Sequence, residues 1–240
     1  MKFIVCDTYE EMSVRAADII ADAVKAKPTA ILGLATGSTP VGMYRELARR
    51  HAAGELDFSA VSSYNLDEYY PISPENDQSY RYFMNVNLFD HINIDKNNTH
   101  VPDGAAADAD AACRAYDEAY AKTGGADVQV LGIGQNGHIA FNEPEAALTV
   151  GTHVTSLTED TIKANSRFFA SIDEVPTRAL TMGMGSIMMA KKIILLANGK
   201  NKHAAIAAML DDKITTAVPA TLLKLHPDVI VLCDKEAYHG

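Results

Sequence analysis

A mostly parallel β-sheet with helices on both faces, in one Rossmann-like α/β domain, is the fold that this sequence predicts. Short apolar runs alternate with amphipathic stretches from one end of the chain to the other, the pattern of repeated strand–helix units. The 240 residues suit one large domain, and 48% of them are hydrophobic, enough for a sizeable core. No tandem repeat, low-complexity tract or linker-like shift in composition interrupts the alternation.

Taken in order, Phe3 to Cys6 reads as a strand, and Glu10 to Lys25 as a helix with Met12, Ala16, Ile19, Ile20 and Ala23 near a 3.6-residue period. Ala30 to Ala35 is a buried strand. Pro40 to His51 is a helix with proline in its first turn, where a missing N–H is tolerated. Ala60 to Leu66 is another strand. Tyr70 to His100, with Pro71, Pro74 and many Asn and Asp residues, reads as irregular. An Ala-rich helix spans Ala105 to Lys122, and Asp127 to Ile133 is the clearest buried strand. A helix follows over Thr158 to Phe169, then a strand over Ala179 to Met182, a helical turn over Gly185 to Ala190 and a strand over Lys192 to Ala197. A helix over Lys202 to Leu210 and a strand over Val229 to Cys233 close the pattern.

Charge and cysteine usage narrow the function. Twenty-one basic against 31 acidic residues give a net charge of −10, which offers no field for nucleic acid or an anionic membrane. An anionic substrate needs a local site. Cys6, Cys113 and Cys233 are odd in number and far apart, so neither a disulfide framework nor a zinc site is signalled. The apolar start, Met1 to Val5, is too short for a signal peptide or a membrane span, and a cytoplasmic protein is expected.

In a parallel α/β sheet ligands bind beyond the carboxyl ends of the strands. After the Ala30–Ala35 strand comes Thr36-Gly37-Ser38-Thr39-Pro40. This segment is not a Walker A loop, since G-K-[ST] is missing. It reads equally as an anion site on a helix N-terminus or as an ordinary capped turn. After Ala60–Leu66 comes Asp67-Glu68-Tyr69-Tyr70, either a general base at a crevice or a solvated acidic turn.

After Asp127–Ile133 comes Gly134-Gln135-Asn136-Gly137-His138-Ile139-Ala140-Phe141-Asn142-Glu143-Pro144. Gly132, Gly134 and Gly137 form G-x-G-x-x-G, but Pro144 ends any helix early and Glu159, at the right distance for a ribose-binding acid, looks like a helix first turn. The dinucleotide reading is therefore rejected. His138 and Glu143 form a candidate acid/base pair. Metal binding lacks a second His or Cys at ligand spacing. Lys163 and Arg167 share a helix face, and Lys202 opens a helix; alone each reads as a solvated cation, although a phosphate site would want such groups together.

Taken together, Leu34 to Pro40, Asn65-Leu66-Asp67-Glu68-Tyr69, Leu131 to Pro144, Leu180-Thr181-Met182-Gly183, Gln78-Ser79-Tyr80 and Ala164-Asn165-Ser166-Arg167 resemble the glucosamine-6-phosphate deaminase family, in order, from about Met1 to Cys233. The resemblance implies that Asp67 moves a proton between C2 and C1 of glucosamine 6-phosphate. It implies that His138, steered by Glu143 and joined by Asn136, opens the sugar ring. Gly37, Ser38, Thr39, Arg167 and Lys202 would bind the phosphate.

Release of ammonia would then give fructose 6-phosphate, in amino-sugar catabolism, with neither metal nor organic cofactor. Some family members carry Asp where Asn136 stands; the resemblance implies that Asn here removes a charge beside His138, makes the histidine less basic and moves the pH optimum, although other members similar to this chain also carry Asn. Members activated by N-acetylglucosamine 6-phosphate carry basic residues after the N-E-P run and a longer C-terminus. Here the stretch is Gly151-Thr152-His153-Val154-Thr155 and the sequence ends at Gly240, so no such activation and a monomer or small homo-oligomer are expected. Residues 1–240 are expected to form one isomerase/deaminase domain, with a lid within 145–171.

A 6-phosphogluconolactonase is the nearest rival, sharing the fold and a G-x-G-x-D-G-H loop, but that family resembles H-T-A-S-L-F-P where this chain has H-I-A-F-N-E-P. A sugar-phosphate-sensing transcription regulator would need a DNA-binding module, for which one domain of this length leaves no room. A catalytically dead binder is disfavoured by the joint presence of Asp67, His138 and Glu143.

Overall fold

The computed structural model describes residues 1–166, 169 and 171–240, with the backbone alone at 160, 164, 165 and 173. A seven-stranded sheet is built from β1 (Lys2–Cys6), β2 (Ile31–Leu34), β3 (Ser62–Asn65), β5 (Thr99–His100), β6 (Val128–Leu131), β9 (Ile193–Ala197) and β10 (Val229–Asp234). Its order is β1-β10-β9-β6-β2-β3-β5, and every pairing is parallel. All five residues of β9 and all four of β6 are buried, as a sheet covered on both faces demands. Each large aliphatic side chain so buried contributes roughly 1.5–3 kcal/mol.

The covering helices start and stop where local chemistry dictates. Thr8 caps α1 (Tyr9–Ala26) by accepting the Glu11 N–H. Pro40 precedes α2 (Val41–Ala52) as its cap residue rather than lying inside its first turn. Asp108 caps α4 (Ala109–Thr123), which ends on left-handed Gly124. Also present are α6 (Met184–Met188), α7 (His203–Leu210) and α8 (Lys235–His239). Among the described residues, no helix is long and apolar enough to cross a membrane.

Four features depart from the sequence reading. The acidic segment after β3 is a strand of its own, β4 (Asp67–Tyr70). It joins β8 (Arg178–Thr181) and β7 (His153–Ser156) in a small antiparallel sheet, order β4-β8-β7. The stretch read as irregular contains α3 (Tyr80–Asn87), started by the Ser79 side chain. The helix expected to reach Phe169 is α5 (Glu159–Asn165), capped by Thr158; Arg167 and Phe168 lie outside the described residues.

The order of the large sheet locates the crevice. The chain passes from β2 outward to β3 and β5, then returns to β6 on the other side of β2 and continues to β9 and β10. The connections after β2 and β6 therefore diverge. Their carboxyl ends form a topological switch point, where an open α/β sheet leaves room for a ligand.

Candidate active site

The turn after β2 is shaped for a close approach. Gly37 holds φ at +90°, a region that side-chain-bearing residues avoid. Tyr9 Oη lies 3.2 Å from the Ser38 carbonyl and 3.1 Å from that of Thr39, and accepts the Gly42 N–H at 2.8 Å. The Tyr44 hydroxyl, fully buried, donates to the Ala35 carbonyl at 2.6 Å and accepts its N–H at 3.2 Å. Thr39 Oγ1 donates to Asn198 Oδ1 at 2.9 Å, tying the turn to the segment after β9. Among the described residues nothing accepts from the backbone N–H of Ser38 or Thr39. Those donors, at the head of α2, suit an anion.

The segment after β9 brings in Lys202, which precedes α7. Asp234, at the end of β10, accepts the Gly199 N–H at 2.9 Å and caps α8. Lys202 Nζ donates to the Ile133 carbonyl at 2.7 Å, at the base of the loop that follows β6.

That loop carries the candidate acid/base set, His138, Glu143 and Asn136. Gly134 donates to the His138 carbonyl, and Gly137 donates to that of Gly134, each at 3.0 Å. A Cβ on Gly134 would stand 2.5 Å from the His138 ring, so the imidazole lies flat against bare backbone. Asn136 Oδ1 accepts the His138 N–H at 3.1 Å, and its Nδ2 donates to Glu143 Oε2 at 2.7 Å. His138 Nδ1 lies 3.0 Å from the same Oε2. Thr161 Oγ1, from α5, donates to Glu143 Oε1 at 2.8 Å. Burial opposes the charge on Glu143. The His138 contact and the amide and hydroxyl donors outweigh it and hold the carboxyl at about 2. A carboxylate so fixed can orient an imidazole and balance its protonated form.

Asp67 opens β4 and is 6% exposed; Glu68 is 2% exposed. The solvated-turn reading of these residues therefore fails. Burial first, and the neighbouring Glu68 second, push Asp67 up to about 8. Glu68 accepts the backbone N–H groups of Tyr69, Tyr80 and Arg81 at 2.8–2.9 Å, bolting β4 to the start of α3. Burial nonetheless pushes its carboxyl up to about 7, against those bonds.

The two proton-handling groups share a support. Asp67 pairs with Thr181 on β8. Thr181 Oγ1 accepts the Phe141 N–H at 3.1 Å, and Asn142 Nδ2 donates to the Met182 carbonyl at 2.8 Å. Tyr80 stacks on Phe141 at 14°, and Tyr69 sits 4.8 Å from the Tyr80 ring. The loop after β6 is thus pinned to the strand beside Asp67.

A family model described as glucosamine-6-phosphate isomerases/6-phosphogluconolactonase matches residues 7–231. The chain belongs to this family. A glucosamine-6-phosphate deaminase of Clostridium perfringens (strain 13 / Type A) is 58% identical over 99% of this chain and 98% of its own. The deaminase of Thermoanaerobacter pseudethanolicus is 56% identical over 99% and 94%. The solved structure of a monomeric glucosamine-6-phosphate deaminase superposes with a TM-score of 0.97 at 47% identity, covering 99% of this chain and 98% of that one. A 6-phosphogluconolactonase from Leishmania guyanensis gives 0.78 at 21% identity, covering 100% and 98%, and so shares the isomerase/lactonase fold alone.

Of the residues singled out in the sequence, Asn136, His138 and Glu143 form one hydrogen-bonded set, and Gly37, Ser38 and Thr39 form one turn. Lys202 reaches the loop after β6, and Arg167 lies outside the described residues. Sequence reasoning missed Tyr9, Thr161, Thr181 and Asn198. Tyr9 and Asn198 do follow strands, beside Glu10 and Gly199, but the partners they meet lie 30 and 159 residues away. Only the hydroxyl of Thr161, one turn after the capping Thr158, carried a local signal. His153 and Thr155 of β7 line a small pocket with Phe141, Glu143 and Glu145.

Proposed function

We propose that this chain converts glucosamine 6-phosphate and water to fructose 6-phosphate and ammonia. The observation that carries the reading is a pair of separate proton-handling sets at one crevice: Asp67 on β4, and His138 with Glu143 and Asn136 in the loop after β6. An aldose–ketose conversion that begins from a closed ring needs both. The deaminase names of relatives at 56–58% identity over nearly the whole chain support the same choice.

The phosphate is held by the N–H groups of Gly37, Ser38 and Thr39 and by Lys202, with Arg167 as the bidentate partner. His138, balanced by Glu143, takes the C1 hydroxyl proton and returns one to the ring oxygen, opening the pyranose. Asp67 then removes the C2 proton and delivers it to C1 while a proton passes from the amine nitrogen to O1, leaving a C1 hydroxyl and a C=N bond at C2. Water adds across that C=N bond, the new hydroxyl gives its proton to nitrogen, and the C–N bond breaks to leave the C2 ketone and ammonia. A base near 8 is matched to removing and redelivering a proton around neutral pH. No step draws on a metal or an organic cofactor.

The monomeric state of the 47% identical structure supports reading this protein as a monomer, and its metabolic substrate supports a cytoplasmic location. The segment 145–171, which carries α5, is the candidate lid. The deciding experiment is an ammonia-release assay on glucosamine 6-phosphate. Stoichiometric ammonia and fructose 6-phosphate are expected. Hydrolysis of 6-phosphogluconolactone with no ammonia at any pH would overturn the proposal.

A further inference from the structure

Thr161 belongs to none of the roles above, yet it is placed to act on them. It is 8% exposed, in the first turn of α5. Its hydroxyl donates to Glu143 Oε1 at 2.8 Å, and accepts in turn from Thr158 Oγ1 at 3.0 Å. Thr158 is the N-cap of α5, and its Oγ1 also accepts the Thr161 N–H at 3.2 Å. A directed chain of hydroxyls therefore runs from the cap of α5 into one oxygen of Glu143, while the other oxygen serves Asn136 and His138. With Oε1 anchored, the carboxylate plane is fixed and Oε2 stays aimed at the imidazole.

The geometry points to Thr161 as a positioning residue of the ring-opening set: it locks Glu143 so that His138 is held for proton transfer at the sugar ring. This rests on the ring-opening role proposed for His138. The titratable groups around Glu143 among the described residues are His138 in its own loop, and Glu145 and His153, which line the small pocket beside it. Asn136 and Thr161 are neutral, so the lock adds no charge.

The test isolates ring opening from deamination. In an Asp67→Asn background the C2 proton stays in place, and the remaining chemistry is the opening and closing of the pyranose. Exchange between the α and β anomers of glucosamine 6-phosphate, followed by NMR magnetisation transfer, then reports His138 and Glu143 alone. Adding Thr161→Val keeps the side-chain shape and removes the hydroxyl. The exchange rate should fall by about tenfold or more, the worth of one hydrogen bond to a carboxylate, while Thr161→Ser restores it and binding of the sugar phosphate is kept. Undiminished exchange in the Val variant, or a Ser variant as slow as the Val one, would overturn the proposal. Absence of enzyme-catalysed anomer exchange in the Asp67→Asn parent would instead overturn the ring-opening reading, and Thr161's role with it.

Discussion

Replacing Asp67 by Asn should make the protein more stable, and increasingly so as pH rises. Burial and the adjacent Glu68 move this carboxyl from its ordinary 3.8 up to about 8. The folded chain therefore keeps a proton that the unfolded chain has given up between those limits. Stability depends on the difference in bound protons. The contribution is fully present below pH 3.8 and is lost as pH rises through 8. Some 4 pH units at about 1.4 kcal/mol each amount to roughly 5–6 kcal/mol. Asn removes the titration and keeps the volume. Wild type and variant should unfold alike near pH 4 and diverge by several kcal/mol at pH 8–9, or roughly 10 °C or more in Tm for a chain of this size. The Glu68 titration is common to both proteins and largely cancels. With no tryptophan in the chain, urea unfolding followed by far-ultraviolet circular dichroism across pH 4–9 is the suitable assay. A constant difference across that range, or a wild type that gains on the variant as pH rises, would refute the reasoning.

Other outcomes follow from the same geometry. Asn136→Asp would set a carboxylate against Glu143 Oε2 in place of a donor at 2.7 Å, and the pair would retain a proton to higher pH. The acid limb of kcat/KM should move up by about 1–2 units, and an unmoved limb would remove Asn136 from the set. Gly134→Ala, whose Cβ would stand 2.5 Å from the His138 ring, should cost about 10²-fold in kcat with little change in KM. Full activity would mean that the ring position is immaterial. Lys202→Met should raise KM and the inhibition constant of inorganic phosphate together, leaving kcat nearly unchanged; a change in kcat alone would take Lys202 out of phosphate binding. Rate curves should be hyperbolic with and without N-acetylglucosamine 6-phosphate, and a sigmoidal curve made hyperbolic by that compound would contradict the expected lack of activation.

The large sheet was legible because its strands are buried on both faces and read as unbroken apolar runs, as Ile193-Ile194-Leu195-Leu196-Ala197 does. The small sheet was not. Asp67-Glu68-Tyr69-Tyr70 has neither an apolar run nor an alternating pattern, and His153-Val154-Thr155-Ser156 is short and half-exposed. Pairing with β8 makes both into strands, and no local residue preference announces it. Helix α3 was hidden by the prolines before it. Its start depends on Ser79 and on Glu68, which lies 12 residues from Tyr80. The same division holds at the site. The glycines and acids that follow strands could be found by position, whereas the bond that Asn198 accepts from a hydroxyl 159 residues away could not. The buried state of Asp67, which sets its chemistry, is a product of tertiary packing and left no mark on the sequence.

The support that β8 gives to both Asp67 and the Phe141–Asn142 segment has a consequence for how this scaffold can change. The turn after β2 hangs from the large sheet and is braced by hydrogen bonds from Tyr9 and Tyr44 and to Asn198, none of which, among the described residues, is hydrogen-bonded to β8. The proton-transfer groups are referenced instead to three consecutive positions, Leu180, Thr181 and Met182, through register and two side-chain bonds. Anchor and chemistry are thus separate modules on one frame. On the roles proposed above, a lineage can retune the reaction by editing one short strand and the loop pinned to it, while the turn after β2 passes through unchanged. Conversely, an error in β8 displaces both proton stations together, so damage there cannot be repaired at either station alone.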